Sequence, residues 1–398
     1  MKTTRLLCLL VILLLPVWTA QAVEQFNGLD RPDLPEVTLT EGDWGLQIVF
    51  FNVGQADALL LLTPDGEACL IDSGSDWQRG NWNDGKGAKA ADQIADFLSS
   101  VEDNGVGALD HITLVYTTHY HADHMLGLDN LVTGQHALTI GTAYDQGAIR
   151  STSPSYTRYA KAVAGSSTVA RYGDKERLGK GGEVTIRCVA VAGDTEGTEY
   201  DSPLDPAREK HKNAGSIALL VTLGEFEFYT AGDQDRQRER DVVDSGAIPG
   251  GNDIDLLKVS HHGSTTATDP GFVEQIRPEV AVVSSTWHRK DRLPKQVALG
   301  TLQTHRCHVL ITGDGTDEKT GEYTPGLSED DLPVAISEKA VHNRQGQIRI
   351  LVSADGTRYT VRSFPGIGWG VPPGAGAEVE AFRKTFSAVD EDNARDEQ

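Results

Sequence analysis

The chain reads as a mixed α/β protein. Three observations lead there: apolar runs of strand length recur along it, turn signals separate them, and segments with helical spacing intervene. With 398 residues, 39% hydrophobic and 24% charged, it has the balance of a globular protein and not of a disordered or fibrous one. That length admits one large α/β domain or two ordinary ones.

Residues 1–22 have the make-up of a secretory signal: Lys2 and Arg5, an apolar stretch from Leu6 to Val17, then Ala20-Gln21-Ala22 as a small-residue cleavage site. The apolar stretch is shorter than the ~18–20 residues of a membrane span, and no later segment is longer. A secreted or periplasmic chain without a stable membrane anchor is expected. Residues 23–40, with Pro32 and Pro35, read as a linker, 41–365 as the folded domain, and the charged 366–398 as a flexible acidic tail.

Strands are expected over 46–52, 58–63 and 68–71, the last two joined by the turn Pro64-Asp65-Gly66. A helix over 89–100 presents Ile94, Phe97, Leu98 and Val101 at helical spacing and leads to a strand over 112–116. Two stretches, the Gly/Ser/Thr-rich 141–182 and the polar 193–213, interrupt the pattern and are expected to be loops bordering a site. Strands resume at 184–191, 216–223, 225–230, 255–259 and 280–284, with a helix over 270–276 before the last. Runs 346–352 and 357–361 flank Ala354-Asp355-Gly356, a hairpin signal.

The formal net charge of -22 repels phosphate backbones unless bound cations oppose it locally. Nonspecific nucleic-acid storage is thereby disfavoured, whereas an enzyme that meets an anion through metal ions is not. Cys69, Cys188 and Cys307 are widely spaced and lack a Cys-x-x-Cys pairing; they suit buried apolar positions better than a disulfide framework or a metal site.

The chemistry concentrates in Thr118-His119-Tyr120-His121-Ala122-Asp123-His124, after an apolar strand and before a helix holding Met125, Leu128 and Leu131. In an extended run alternate residues share a face, so His119 and His121 can grip one cation. Where the chain turns into the helix, Asp123 and His124 can swing to a second. Imidazole with carboxylate suits zinc best, with manganese or iron as the alternatives. Only 12 residues of the chain are histidine, so three within six positions, beside an aspartate, call for a cause other than packing.

This segment resembles the HxHxDH signature of the metallo-β-lactamase superfamily. The segments 50–75, 213–234, 253–264 and 278–285 are similar to the hydrolase domain of ComEC-type competence proteins and their secreted stand-alone relatives. The resemblance covers roughly 45–362 and implies a four-layer αββα metallo-β-lactamase-like sandwich with metals at one edge. It implies metal ligation by His119, His121, Asp123, His124, Asp233 and His262, with Asp233 as the carboxylate bridging two ions. Asp72 matches a supporting acid near the site, although a turn role suits it equally. His261-His262-Gly263-Ser264 matches an HHGS element, in which one histidine contacts a metal and the other donates a proton to the leaving group; which does which stays open.

Two departures stand out. The stretch that carries a third-motif histidine in many members reads Asn213-Ala214-Gly215-Ser216, with His211 nearby, and a later His-Pro pair is replaced by Leu293-Pro294, with His288 nearest. The expected activity is metal-dependent hydrolysis with catalytic Asp123, His261 and His262, using a zinc-activated hydroxide held by one or two ions. Its expected substrate is a small ester or phosphodiester, with single-stranded DNA as a subcase; the rival is a secreted binding protein on the same fold without turnover.

Overall fold

The computed structural model describes residues 43–75, 90–147, 153–192, 209–248, 254–285, 293–313, 341–342, 346–364 and 382–388, all within the unit Thr38–Gln398. The signal and linker expected over 1–40 lie outside the described residues. The strands are β1 (Trp44–Phe50), β2 (Ala58–Leu62), β3 (Ala68–Ser73), β4 (His111–Thr117), β5 (Thr139–Asp145), β6 (Ser167–Val169), β7 (Lys175–Leu178), β8 (Val184–Ala190) and β9 (Ala218–Leu223). They continue with β10 (Phe226–Thr230), β11 (Leu256–Lys258), β12 (Val280–Val283), β13 (His308–Ile311), β14 (Val341–His342), β15 (Gln347–Ser353), β16 (Arg358–Phe364) and β17 (Phe382–Ser387). The helices are α1 (Ala90–Ser99), α2 (Val101–Asn104), α3 (Ala122–Val132), α4 (Pro154–Ala162), α5 (Glu209–Ala214), α6 (Arg236–Asp244), α7 (Pro270–Ile276) and α8 (Gln296–Thr304).

Strand β2, Ala-Leu-Leu-Leu-Leu, is buried at every position, which requires cover on both faces. Leu59 and Leu61 enter one apolar core with Phe226, Phe228, Val280 and Val282 of other strands. Ala58, Leu60 and Leu62 face the opposite way, against Ile94, Leu98, Met125 and Leu128 of α1 and α3. On the second sheet the period of two works in mirror image: Tyr229, Ala281 and Val283 pack on Phe272, Leu299 and Leu302 of α7 and α8. The layers are therefore helix, sheet, sheet, helix, the αββα sandwich expected from the sequence.

Among the described residues the first sheet has nine strands in the order β17-β16-β15-β1-β2-β3-β4-β5-β6, and the second eight in the order β14-β13-β12-β11-β10-β9-β8-β7. Both are mixed. In the first, β3-β4 and β4-β5 pair parallel; in the second, β10-β11 and β11-β12 do. Consecutive parallel strands bring their C-terminal ends to one edge, where open α/β sheets carry their sites.

Two expectations need correction. The stretch 141–182 is not one long loop: it carries most of β5, then α4, β6 and β7. Ser153 caps α4 by accepting from Tyr156 N, and Pro154 starts it. Inside the stretch read as a tail, β17 pairs antiparallel with β16, and Phe386 stacks on Tyr359 with ring centroids 5.1 Å apart. The flanking Gly/Pro-rich and charged residues outweigh this short run in composition, which hid it. The three cysteines are buried and unbridged.

Candidate metal centre

Beyond Thr117 the chain leaves β4 extended, and α3 begins after His121, whose own backbone is still extended (φ -84°, ψ 152°). Nε2 of His119 and Nδ1 of His121 lie 2.9 Å apart, on one side of the run as their spacing predicts. A Cβ on Gly127 would stand 1.9 Å from the Ser73 carbonyl oxygen, so glycine lets α3 lie directly on β3 and sets where its first turn points. That first turn carries Asp123 and His124.

Asp233 follows β10 in the turn Ala231-Gly232-Asp233. Gly232 has φ +53°, and a Cβ there would come within 2.4 Å of Thr118 Oγ1, so this turn lies hard against the histidine segment. The two oxygens of Asp233 then face different imidazoles. Oδ2 is 3.8 Å from His119 Nε2 and 3.6 Å from His261 Nε2. Oδ1 is 3.3 Å from His124 Nε2 and 3.7 Å from His262 Nε2. On that second side His262 Nε2 is also 3.6 Å from Asp123 Oδ2.

These spacings suit a cation. Four ligands at ~2.1 Å in a tetrahedron stand roughly 3.4 Å from one another. His124 Nε2, His262 Nε2 and Asp233 Oδ1 are buried without a hydrogen-bond partner, although buried polar atoms are as a rule satisfied. The residues present fit a metal. His119, His121 and Asp233 form one group of ligating atoms and His124, Asp233 and His262 a second, with Asp123 beside it.

The imidazoles are held from behind. Asp72, at the end of β3, accepts from Thr118 N (2.8 Å) and Thr118 Oγ1 (2.7 Å) and lies 2.7 Å from His124 Nδ1. Asp72 thus contacts both the histidine segment and a candidate ligand, the geometry of a supporting acid. His262 Nδ1 lies 2.9 Å from the Ser284 carbonyl oxygen. With both Nδ1 atoms so engaged, both Nε2 atoms are left to face the shared pocket.

His261 and His262 both have left-handed backbone, φ 51° and 53°, a conformation that costs non-glycine residues energy and collects at functional sites. The consequence is that their rings diverge. His262 is buried among Asp233, Asp123 and the Ser284 carbonyl. His261 keeps a quarter of its side chain exposed, with Nδ1 2.8 Å from Thr266 Oγ1 and Nε2 3.2 Å from Asn213 Nδ2. The structure thus separates the pair, His262 buried and His261 partly exposed, although Nε2 of each lies within 3.7 Å of an Asp233 oxygen. His211 contributes no described side chain, and His288 lies outside the described residues.

Asp57 was not among the residues singled out in the sequence. It lies within 4.8 Å of ligating atoms of His124, Asp233 and His262, yet it faces their Nδ1 edges and is taken by the Lys258 ammonium. It stands behind the ligands, not among them. Its signal was a lone carboxylate at the head of the wholly apolar β2, matched by a lone lysine in Leu256-Leu257-Lys258-Val259.

The pocket attracts positive charge strongly. Burial works against a charged His124, but the Asp233 and Asp72 carboxylates push it well above the usual imidazole range. Against the same burial, Asp233 and Asp57 raise His262 to about 10. His119, buried and beside His124 and His121, is pushed well down, which favours a neutral ring. Burial raises the Asp123 carboxyl, but the neighbouring His262 and His124 imidazoles outweigh it and hold it near 2.

No family model matches the chain. It is 33% identical over 108 residues to ComE operon protein 3 of Bacillus subtilis, covering 27% of this chain and 13% of that protein. It is 29% identical over 111 residues to competence protein ComA of Neisseria gonorrhoeae, covering 27% and 16%. The chain thus aligns with only a small part of these longer relatives. Among solved structures, the metallo-beta-lactamase fold protein YhfI from Bacillus subtilis matches with 11% identity and a TM-score of 0.39, over 67% of this chain and 96% of that one. CmlA, a diiron beta-hydroxylase from Streptomyces venezuelae, matches with 12% identity and a TM-score of 0.37, over 67% and 52%. The layer order, the motifs in sequence along it and the partial similarity to competence proteins agree with the resemblance read from the sequence, that of a metallo-β-lactamase-like αββα chain.

Proposed function

We propose that the chain is a secreted metal-dependent hydrolase of phosphodiesters or related esters, with zinc as its ion. The carrying observation is Asp233, whose two oxygens each face a different set of imidazoles at ligand–ligand spacing. His119 and His121 would hold one ion with Asp233, and His124, His262 and Asp123 a second. Bound there, zinc supplies Lewis-acid chemistry, acidifying water and polarising the scissile centre.

The chain's own residues divide the remaining work. His119, His124, His262 and Asp233 are at most 3% exposed and form a dry floor. Asp123, with 34% of its side chain exposed, stands at the mouth. His261, next to Asp233 and reached by solvent, would give a proton to the leaving group from Nε2 once the Asn213 amide that faces this nitrogen is displaced, its Nδ1 staying on Thr266. The segments shared with competence proteins favour single-stranded DNA as a substrate, whereas the net charge of -22 favours a small diester. The expected secretion rests on residues 1–22; among the described residues no helix is long and apolar enough to cross a membrane.

A binding protein without turnover is the second reading. It is favoured by Asn213, an amide in the segment where an imidazole would complete the first ligand set. Metal analysis of the purified chain, combined with hydrolysis of bis-p-nitrophenyl phosphate by wild type and Asp123→Ala, decides between them. The hydrolase reading expects bound zinc and turnover that falls by at least about 10²-fold in the variant. Stoichiometric zinc without turnover on any ester gives the second reading, and a chain that takes up no metal overturns both.

A further inference from the structure

Lys258 ends β11 with a side chain that is 0% exposed. Its Nζ contacts the Asp57 carboxylate and donates to the Gly232 carbonyl oxygen at 3.0 Å. Asp57 precedes β2 in the first sheet, so the pair joins the two sheets across 201 positions of sequence. Asp57 is also anchored through its backbone, its N–H donating to the Asp123 carbonyl oxygen at 3.1 Å.

The pair lies directly behind the metal-facing imidazoles. Asp57 Oδ1 is 3.5 Å from His262 Nδ1, and Asp57 Oδ2 is 3.6 Å from His124 Nδ1. Both nitrogens have nearer partners, the Ser284 carbonyl for one and Asp72 for the other. Asp57 is therefore a competitor held one step out of reach. A buried carboxylate without a counter-charge would close on whichever donor it could find, and the two imidazole Nδ1 edges stand nearest. Rotation of either ring toward it would take Nε2 out of the pocket. The same ammonium holds Gly232, and so the turn that delivers Asp233.

We propose that Lys258 and Asp57 form a buried positioning dyad: Lys258 occupies Asp57 and grips Gly232, which keeps His124, His262 and Asp233 aimed at one cation. The proposal rests on the metal-centre reading above. It differs from a plain staple between sheets in what it predicts, because a staple changes stability and leaves the ligand field alone.

The test is zinc affinity by chelator competition, with the visible absorption band of the cobalt-substituted protein as the spectroscopic readout. Wild type, Lys258→Met, Asp57→Asn and the double variant Asp57→Asn/Lys258→Met are compared, each first shown to be folded by circular dichroism. Lys258→Met is expected to weaken zinc binding ~10–100-fold, the range for residues supporting metal ligands, and to shift the cobalt band. The double variant, with no bare carboxylate behind the rings, is expected to recover part of that loss. If Lys258→Met does not fold, the double variant and Asp57→Asn carry the comparison, with weaker zinc binding expected in Asp57→Asn. Variants that fold and match wild type in affinity and spectrum overturn the dyad alone, as does a double variant no better than a folded Lys258→Met. A wild-type chain that takes up neither zinc nor cobalt overturns the metal reading, and the dyad with it.

Discussion

Asp72 shows how one side chain ties sequence to chemistry. Burial raises its carboxyl, while its contact with His124 works the other way, and its two oxygens are shared between Thr118 and His124. An amide in its place keeps one acceptor and puts a donor where the other stood. Asp72→Asn is accordingly expected to weaken zinc binding ~10–100-fold while hydrolysis at saturating zinc falls less; competition with a chelator checks it, and an unchanged affinity would reduce Asp72 to a turn residue. Most of the proposed ligands were legible in the sequence because HxHxDH and HHGS each crowd scarce residue types into a few positions. Asp57 and Lys258 were not. Each is a single charge in an apolar strand, and only folding, which brings positions 57 and 258 together, gives either one a meaning.

At the level of elements, strands buried on both faces were read best. Runs such as Leu59 to Leu62 and Val280 to Val283 are continuously apolar and bounded by turn residues. The short β6 and β7 were missed because their residues are mostly exposed or half-buried and their stability comes from pairing with neighbours. Helix α6 escaped notice for a related reason. Its sequence, Arg-Gln-Arg-Glu-Arg-Asp-Val-Val-Asp, offers few apolar positions, and Asp235 caps it. It docks instead through Glu239, which is buried and accepts from Thr268 N (3.1 Å) and Asp269 N (2.8 Å), fastening α6 to the segment behind the histidine pair. Burial pushes this carboxyl from 4.5 up to about 7. The native chain then holds a proton that the unfolded chain has released, so the stabilisation from this group is complete below the unfolded value and is lost as pH rises through about 7. Urea unfolding across pH 4.5 to 7 should show stability from this source falling with rising pH, and Glu239→Gln, which cannot ionise, should flatten that slope. An identical slope in the variant would assign the pH dependence to other groups.

For the molecule as a whole, net charge and site chemistry pull in opposite directions. A chain with 58 Asp and Glu against 36 Lys and Arg repels a polyanion over the full approach, whereas the ions proposed for the centre act within a few ångströms. Salt acts on the first and barely on the second, because the Debye length contracts from about 30 Å at 0.01 M to about 10 Å at 0.1 M. Binding of single-stranded DNA by basic proteins weakens over that range as counterions compete. Here the sign reverses. Repulsion is screened before the metal contacts are, so kcat/KM for a single-stranded oligonucleotide should rise with added monovalent salt. For bis-p-nitrophenyl phosphate, with one charge, it should change little. Parallel assays of the two substrates from 0.01 to 0.1 M salt, with zinc held in excess, test this at the range over which screening changes most. A fall in oligonucleotide cleavage with salt would point to a basic track on the surface, and the overall charge would then not govern which substrates reach the centre.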